Sequence, residues 1–563
     1  MKYLSFESLY EPFPIHDIKT IDYEPFQGIE RLKEQLKSHQ GRIIIETYPG
    51  IDLNVLKEVL LSLFKLEDIC FLHDHALDKN TYETLTKPYI TDDRVFGYKT
   101  TLSIENLYPK NLESLVLQGN PKVVFGFGAS MISGDVTYLF TLKRWEHQKR
   151  MRAGMPNFNV DNHDEDILRK YKRAYFLEWV IADQLKRKHL SRFDYILEWN
   201  DIKQPKWLPF DIYKRIIKEI ASKPFRMVPF FDPGVWGGQW MKEVCHLDQK
   251  QDNYAWCFDG VVEENSIAFK LSNVVFDMPA QDILDIYGLE VLGDDVFKTY
   301  GYHLPIRFDL LDTMDGDHLS LQVHPMPNYI HQTFGMPYTQ HESYYILDAK
   351  NDGVVYLGFK EDIQSEVFEH EIKKASKVGQ FDAERFVNVI PVKKHDHISI
   401  PAGTIHCSGR NTLVLEISMA AYIFTFKLWD WGRLGLDGTP RPVHLDHGLK
   451  NLQYDRKTRW VRNELINPIS KLSENIERTG LHALEPLSSY RVSFKDEIRI
   501  KLKQTVQMAT VVEGQKITLY HPSFESIQYH YAETFIIPAN ITEITLKCED
   551  KNECMIIYAE VNV

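Results

Sequence analysis

Along the first 220 or so residues, apolar runs at helical spacing alternate with short runs of β type. Residues 41–46 (GRIIIE) read as a buried strand. A turn follows at Pro49 and Gly50, then a helix over residues 52–64 with leucines on one face. Residues 122–125 (KVVF) and 136–142 (VTYLFTL) predict further strands, and residues 164–189 the longest amphipathic helix. Such alternation predicts an α/β layer domain over residues 1–222. From about residue 224 the texture changes. Short alternating segments separated by Gly, Pro and Asn continue to the end, as in a β-sandwich or barrel. Residues 466–487 read as a connector and residues 492–563 as another run of short strands. The expected organisation is therefore an α/β domain (1–222), a central β core (223–465) and a small C-terminal β domain (466–563).

Composition narrows the function classes. The chain has 563 residues, 44% apolar and 26% charged, which is ordinary globular composition. Its length predicts two to four domains. The formal charge of -13 argues against a nucleic-acid or anionic-membrane surface. The six cysteines (70, 245, 257, 407, 548 and 554) form no C-x-x-C pair and are scattered. A disulfide framework is not expected, and a cytoplasmic setting fits. Glu7 and Glu11 interrupt any signal-peptide core, and no run of about 18 apolar residues predicts a membrane span.

The chemistry concentrates in the central domain. In residues 318–325 (HLSLQVHP), Leu319, Leu321 and Val323 share one strand face. His318, Ser320, Gln322 and His324 share the other, with Gln322 and His324 about 7 Å apart along the strand. In residues 341–347 (HESYYIL), Glu342 opens a strand and can present a carboxylate to the same cavity. In residues 398–406 (ISIPAGTIH), a turn at 401–403 precedes His406. Two imidazoles, a carboxylate and an amide oxygen make a borderline N/O set. Zinc is the first choice for such a set, with iron, manganese or cobalt as alternatives.

QVHP, E-x-x-Y-I-L-D-A, P-A-G-T-I-H, L-V-L-E and W-D-W-G-R follow one another in this order. Together they resemble the class I mannose-6-phosphate isomerases, zinc-dependent cupins that interconvert mannose 6-phosphate and fructose 6-phosphate. VWGG (235–238) is similar to the opening motif of that family, and TPRPVH (439–444) to the segment closing its core. HYAETFIIPAN (530–540) is similar to its second cupin module. The resemblance implies Gln322, His324, Glu342 and His406 as ligands of one zinc ion per chain, and a sugar phosphate as substrate. It departs from the family in three places. Gln340 stands where a lysine is typical, residues 418–423 (SMAAYI) lack an aspartate, and Lys427 takes the place of the catalytic arginine. Arginine and lysine are not equivalent at a bidentate site. These changes bear on activity towards mannose 6-phosphate and leave metal binding intact.

An aldose–ketose isomerisation moves a proton between C1 and C2 and develops negative charge on an enediolate. Lys427 and Arg433 are the candidate cations; Glu416 and His341 are candidate bases, and a metal-bound hydroxide is another. His395 and His397, near the P-A-G turn, read as exposed loop residues. Two other functions fit the departures: a catalytically altered cupin that binds sugar phosphate in a regulatory role, or a cupin acting on another sugar phosphate or a nucleotide sugar. In residues 1–222 the strand–turn–helix carrying YPGIDLN has the shape of a phosphate-binding loop but lacks G-x-x-x-x-G-K-[ST]. The segment TLKRWEHQKRMRAGM loosely resembles the basic lid of P-loop kinases. The expectation is a degenerate domain of that kind, docked on the isomerase half and able to cap or enlarge its pocket.

Overall fold

The computed structural model describes residues 3–421, 423–434, 441–480, 482–550 and 552–562. Thr439 and Pro440 of the TPRPVH motif and Tyr422 of SMAAYI lie outside them.

The GRIIIE run forms the strand Ile43–Thr47, all of it buried. Asp52 then caps the helix Leu53–Leu61, its side chain accepting from the backbone N–H of Asn54 and Val55. This strand belongs to a seven-stranded sheet and is the middle one of its five parallel strands. Its parallel part runs, in spatial order, Ile69–Phe71, Val123–Gly126, Ile43–Thr47, Val136–Thr141 and Tyr195–Glu198. Lys206–Pro209 and Phe26–Gln27 extend it antiparallel. The winding reverses beside the first parallel strand, which opens a crevice at its carboxyl end. The long helix expected over 164–189 is present as Ile167–Arg173 and Trp179–Lys188, joined by a π-turn at Ala174–Glu178.

The middle of the chain is a two-sheet β-sandwich. One sheet has six strands in the order His397–Ile400, His341–Ala349, Thr412–Met419, Ile306–Asp312, Trp256–Phe258 and Phe230–Asp232. The other has five: Val387–Pro391, Val354–Phe359, His406–Ser408, Leu321–Val323 and Phe426–Trp429. Helices interrupt the β texture, among them Gln281–Leu292 and Asp294–Tyr300. The last part pairs a six-stranded with a four-stranded sheet. Residues 466–487 are not a mere connector: Ile469–Lys471 is the edge strand of that six-stranded sheet and Ile476–Thr479 the strand next to it. The cysteine expectation also needs correcting, because Cys548 and Cys554 are joined in a disulfide. One ends a strand and the other begins the next strand of the chain, so a separation of six residues brings their Cα atoms to 5.5 Å. Among the described residues no helix is long and apolar enough to cross a membrane.

The α/β sheet and the sandwich are bound by a buried ionic cluster. Lys186 lies 2.6 Å from Asp282 and 2.7 Å from Asp285, and Arg187 lies 3.1 Å from Asp285. The Tyr213 hydroxyl donates to Asp282 at 2.6 Å. Lys186→Met removes the shared cation and leaves two buried carboxylates facing each other. It is expected to destabilise the protein by about 3 kcal/mol, read as a lower denaturation midpoint; an unchanged midpoint would show that the cluster contributes nothing.

Candidate metal centre

Three strands bring the site together. Gln322 is paired with His406 on one side and with Lys427 on the other. Glu342 comes from the facing sheet. The strand expected over 318–325 is shorter, Leu321–Val323, yet Gln322 and His324 still point into one site. The P-A-G turn is real and needs its glycine. Gly403 has φ +89°, and a Cβ there would lie 3.0 Å from the Asn451 carbonyl oxygen. That turn delivers His406 onto its strand.

His324 Nε2 lies 3.0 Å from Glu342 Oε2, and His406 Nε2 lies 2.6 Å from Glu342 Oε1. The Gln322 amide is 3.2 Å from His406 Nε2, and a half-turn of that amide would present its oxygen. The ligand atoms of the two histidines and Glu342 all fall within 4.8 Å of one another, and the three side chains are at most 1% exposed. Each imidazole is oriented from behind. His324 Nδ1 donates to the Phe424 carbonyl at 3.1 Å, and His406 Nδ1 donates to the Thr404 carbonyl at 2.8 Å. Both Nε2 lone pairs are thereby aimed at a carboxylate, so in neutral imidazoles acceptors face acceptors. His324 Nε2 and Glu342 Oε1 have no hydrogen-bond donor. Such a group can hold a cation, and second-nitrogen bonds of this kind are usual behind ligand histidines. These residues fit a divalent metal ion.

The cluster adjoins a cavity of about 380 Å³. Gln322, Gln340, Glu416, Asp309, Lys427 and Arg441 are among the side chains that line it. Gln340 donates to Glu342 at 2.8 Å and to Glu416 at 3.2 Å, filling the space between the two carboxylates. Burial, reinforced by Glu342 and Asp309, raises the Glu416 carboxyl well above the usual range. Burial likewise pushes Asp309 up to about 7, against the pull of Arg307. Burial would raise Glu342 too, but His324 and His406 hold it well below the ordinary value. Lys427 is lowered to about 8, chiefly by burial and then by Arg441.

Not every expected residue is here. Arg433 turns back on its own loop, to Asp430 Oδ1 at 2.5 Å and the His318 carbonyl at 2.6 Å, and does not line the cavity. Arg441 does, beside Lys427 and Arg307, and it lies 2.8 Å from Asp430 Oδ2. It sits in the TPRPVH stretch, which was legible as a motif but assigned no role. His341 also points elsewhere: its Nδ1 accepts from the Ala402 N–H at 3.3 Å, as strand alternation requires. His397 is no loop residue. It is fully buried in a strand, with Nε2 2.8 Å from Ser343 Oγ. His395 is half-buried, 2.8 Å from the Tyr345 hydroxyl. Asp309 was missed because its strand carries no motif. Its only signal was a charge at 309 inside the apolar run IRFDLLD.

Two comparisons bear on the two parts of the chain. Residues 28–222 match a family described only as Domain of unknown function (DUF8485). A probable mannose-6-phosphate isomerase of Bacillus subtilis is 24% identical over 339 residues, 58% of this chain and 98% of that protein. Another mannose-6-phosphate isomerase of that bacterium is 24% identical over 303 residues, 53% of this chain and 87% of that one. The crystal structure of the mannose 6-phosphate isomerase from Bacillus subtilis matches with a TM-score of 0.50 at 18% identity, covering 60% of this chain and all of that one. This C-terminal three-fifths thus shares its fold with the mannose 6-phosphate isomerase from Bacillus subtilis, and its sequence is similar to mannose-6-phosphate isomerases.

Proposed function

We propose that the chain is a metal-dependent aldose–ketose isomerase acting on a sugar phosphate of the mannose 6-phosphate and fructose 6-phosphate type. The observation that carries this reading is the buried convergence of His324, Glu342 and His406, with His324 Nε2 and Glu342 Oε1 lacking any hydrogen-bond donor, beside a cavity with the cations Lys427 and Arg441 on its wall. His324, Glu342, His406 and, after rotation, Gln322 would hold the ion, zinc being the first choice for this donor set. When bound it supplies Lewis-acid charge for the carbonyl and hydroxyl oxygens at C1 and C2. Glu416 takes the proton from one carbon and returns it to the other. Burial and the neighbouring Glu342 raise its pKa well above that of an ordinary carboxyl, the direction that suits a general acid–base group. Lys427 and Arg441 hold the phosphate at the far side.

Treatment with a strong chelator is expected to abolish isomerisation of mannose 6-phosphate, and added zinc to restore it, with about one ion per chain. Full turnover by metal-free protein would overturn the reading. Metal and sugar-phosphate binding without turnover would favour the regulatory cupin instead, a reading that Gln340 and Lys427 keep open. For residues 1–222 we infer a degenerate kinase-like domain without phosphoryl transfer. The Asp52 carboxylate occupies the helix N-terminus where a phosphate would need free N–H groups, with both bonds at 3.1 Å. We place the protein in the cytoplasm.

A further inference from the structure

The substrate cavity is not built by the sandwich alone. Val95, Phe96, Gln148, Leu168 and Tyr171, all from the α/β part, lie on its wall. Two of them act on one group. Gln148 Nε2 donates to Glu264 Oε2 at 2.7 Å, and the Tyr171 hydroxyl donates to Glu264 Oε1 at 3.1 Å. These contacts span 116 and 93 residues of sequence, and Glu264 itself lines the same cavity. The third, Phe96, is 1% exposed and belongs to the core of the sandwich rather than to that of its own sheet. Its ring centroid lies 5.6 Å from Phe424, 5.3 Å from Phe426 and 5.0 Å from His444. His444 brackets the main chain of Lys427: its N–H donates to the Lys427 carbonyl at 2.7 Å, and its Nδ1 accepts the Lys427 N–H at 3.2 Å. The segment carrying Phe96 is tied down on both sides, by Asp93 to His447 at 3.5 Å and by the Lys99 N–H to the Phe334 carbonyl at 2.8 Å.

We propose that the α/β domain supplies the specificity-determining wall of the isomerase cavity: Gln148 and Tyr171 cover the Glu264 carboxylate against an incoming phosphate, and Phe96 positions the strand that presents Lys427. This rests on the isomerase reading and deepens it. A carboxylate inside a chamber that must admit a sugar-phosphate dianion repels it less when both its oxygens are engaged. Gln148 and Tyr171 engage one each. The α/β domain therefore governs which anion enters, and the sandwich provides the chemistry.

The test uses the full chain loaded with zinc. In the double variant Gln148→Leu, Tyr171→Phe, the KM for mannose 6-phosphate is expected to rise about tenfold with kcat within about twofold. Adding Glu264→Gln is expected to restore KM, which a merely structural role would not do. Inorganic phosphate binding, measured by calorimetry, is expected to weaken and recover in parallel. Unchanged phosphate binding in the double variant, failure of Glu264→Gln to rescue it, or a wild type that binds no phosphate would each overturn the proposal. A wild type that binds phosphate and shows the loss and rescue, yet isomerises no sugar phosphate, supports the wall and sinks the isomerase reading alone. Should the double variant lose its metal or its fold, Tyr171→Phe alone tests the same point with a smaller rise, and an unchanged KM there overturns it.

Discussion

Glu342→Gln is expected to leave the sandwich folded, release the metal and lower kcat/KM by roughly a thousandfold, the equivalent of about 4 kcal/mol of transition-state stabilisation. The substitution is isosteric, so the strand His341–Ala349 loses no packing volume. What it loses is the one anion that two aligned Nε2 atoms share, at 3.0 and 2.6 Å. Without it, the site offers two neutral imidazoles and two amides, which hold a divalent ion weakly. The Gln340 amide, now 2.8 Å from the carboxylate, is left facing a second amide. Elemental analysis of the purified variant beside steady-state kinetics checks both halves. Metal retained at one per chain with normal turnover would remove Glu342 from the site. Metal lost with turnover intact would remove the metal from the reaction.

Much of this site was legible because its residues sit on strands whose alternation is strict. Gln322 and His324 fall on one face by parity, and the P-A-G turn announces where the chain must reverse before His406. The same parity sends His341 away from Glu342, and there the structure agrees with the bare rule. Arg433 and Arg441 show where parity ends. Both lie in irregular chain around Asp430, and nothing local decides which guanidinium turns inward. Asp430 decides it, binding Arg433 through one oxygen and Arg441 through the other.

The N-terminal contribution was illegible for a different reason. Residue periodicity places Phe96, Gln148 and Tyr171 within their own domain, but their partners lie 93 to several hundred residues further on. Phe96 carries no polar signal and reads as ordinary core. It is core, but of the other domain. Likewise Lys186 reads as a basic residue near a helix end, whereas Asp282 and Asp285 make it a buried cation. Contacts of this range depend on how two finished sheets dock, which no window of sequence contains.

Lys427 sets the other large effect, and its sign can be worked out. Burial and then Arg441 lower its ammonium to about 8 from 10.5. In the free enzyme the group is charged below that pH and neutral above it, so kcat/KM is expected to fall about tenfold per unit as pH rises beyond 8. Between 8 and 10.5 this lysine binds fewer protons folded than unfolded, so its own contribution to stability rises with pH over that window. The loss of activity is then not unfolding. Lys427→Met should lower kcat/KM by about a hundredfold near neutrality and abolish the alkaline limb, because no ammonium remains to titrate. Lys427→Arg should keep the charge to higher pH, flatten the same limb and, with a planar fork for the phosphate, match or exceed wild-type turnover at pH 9. A pH–rate profile of the three proteins checks this. An alkaline limb that survives in Lys427→Arg would assign the titration to another group, and wild-type rates in Lys427→Met would take Lys427 out of the substrate's reach.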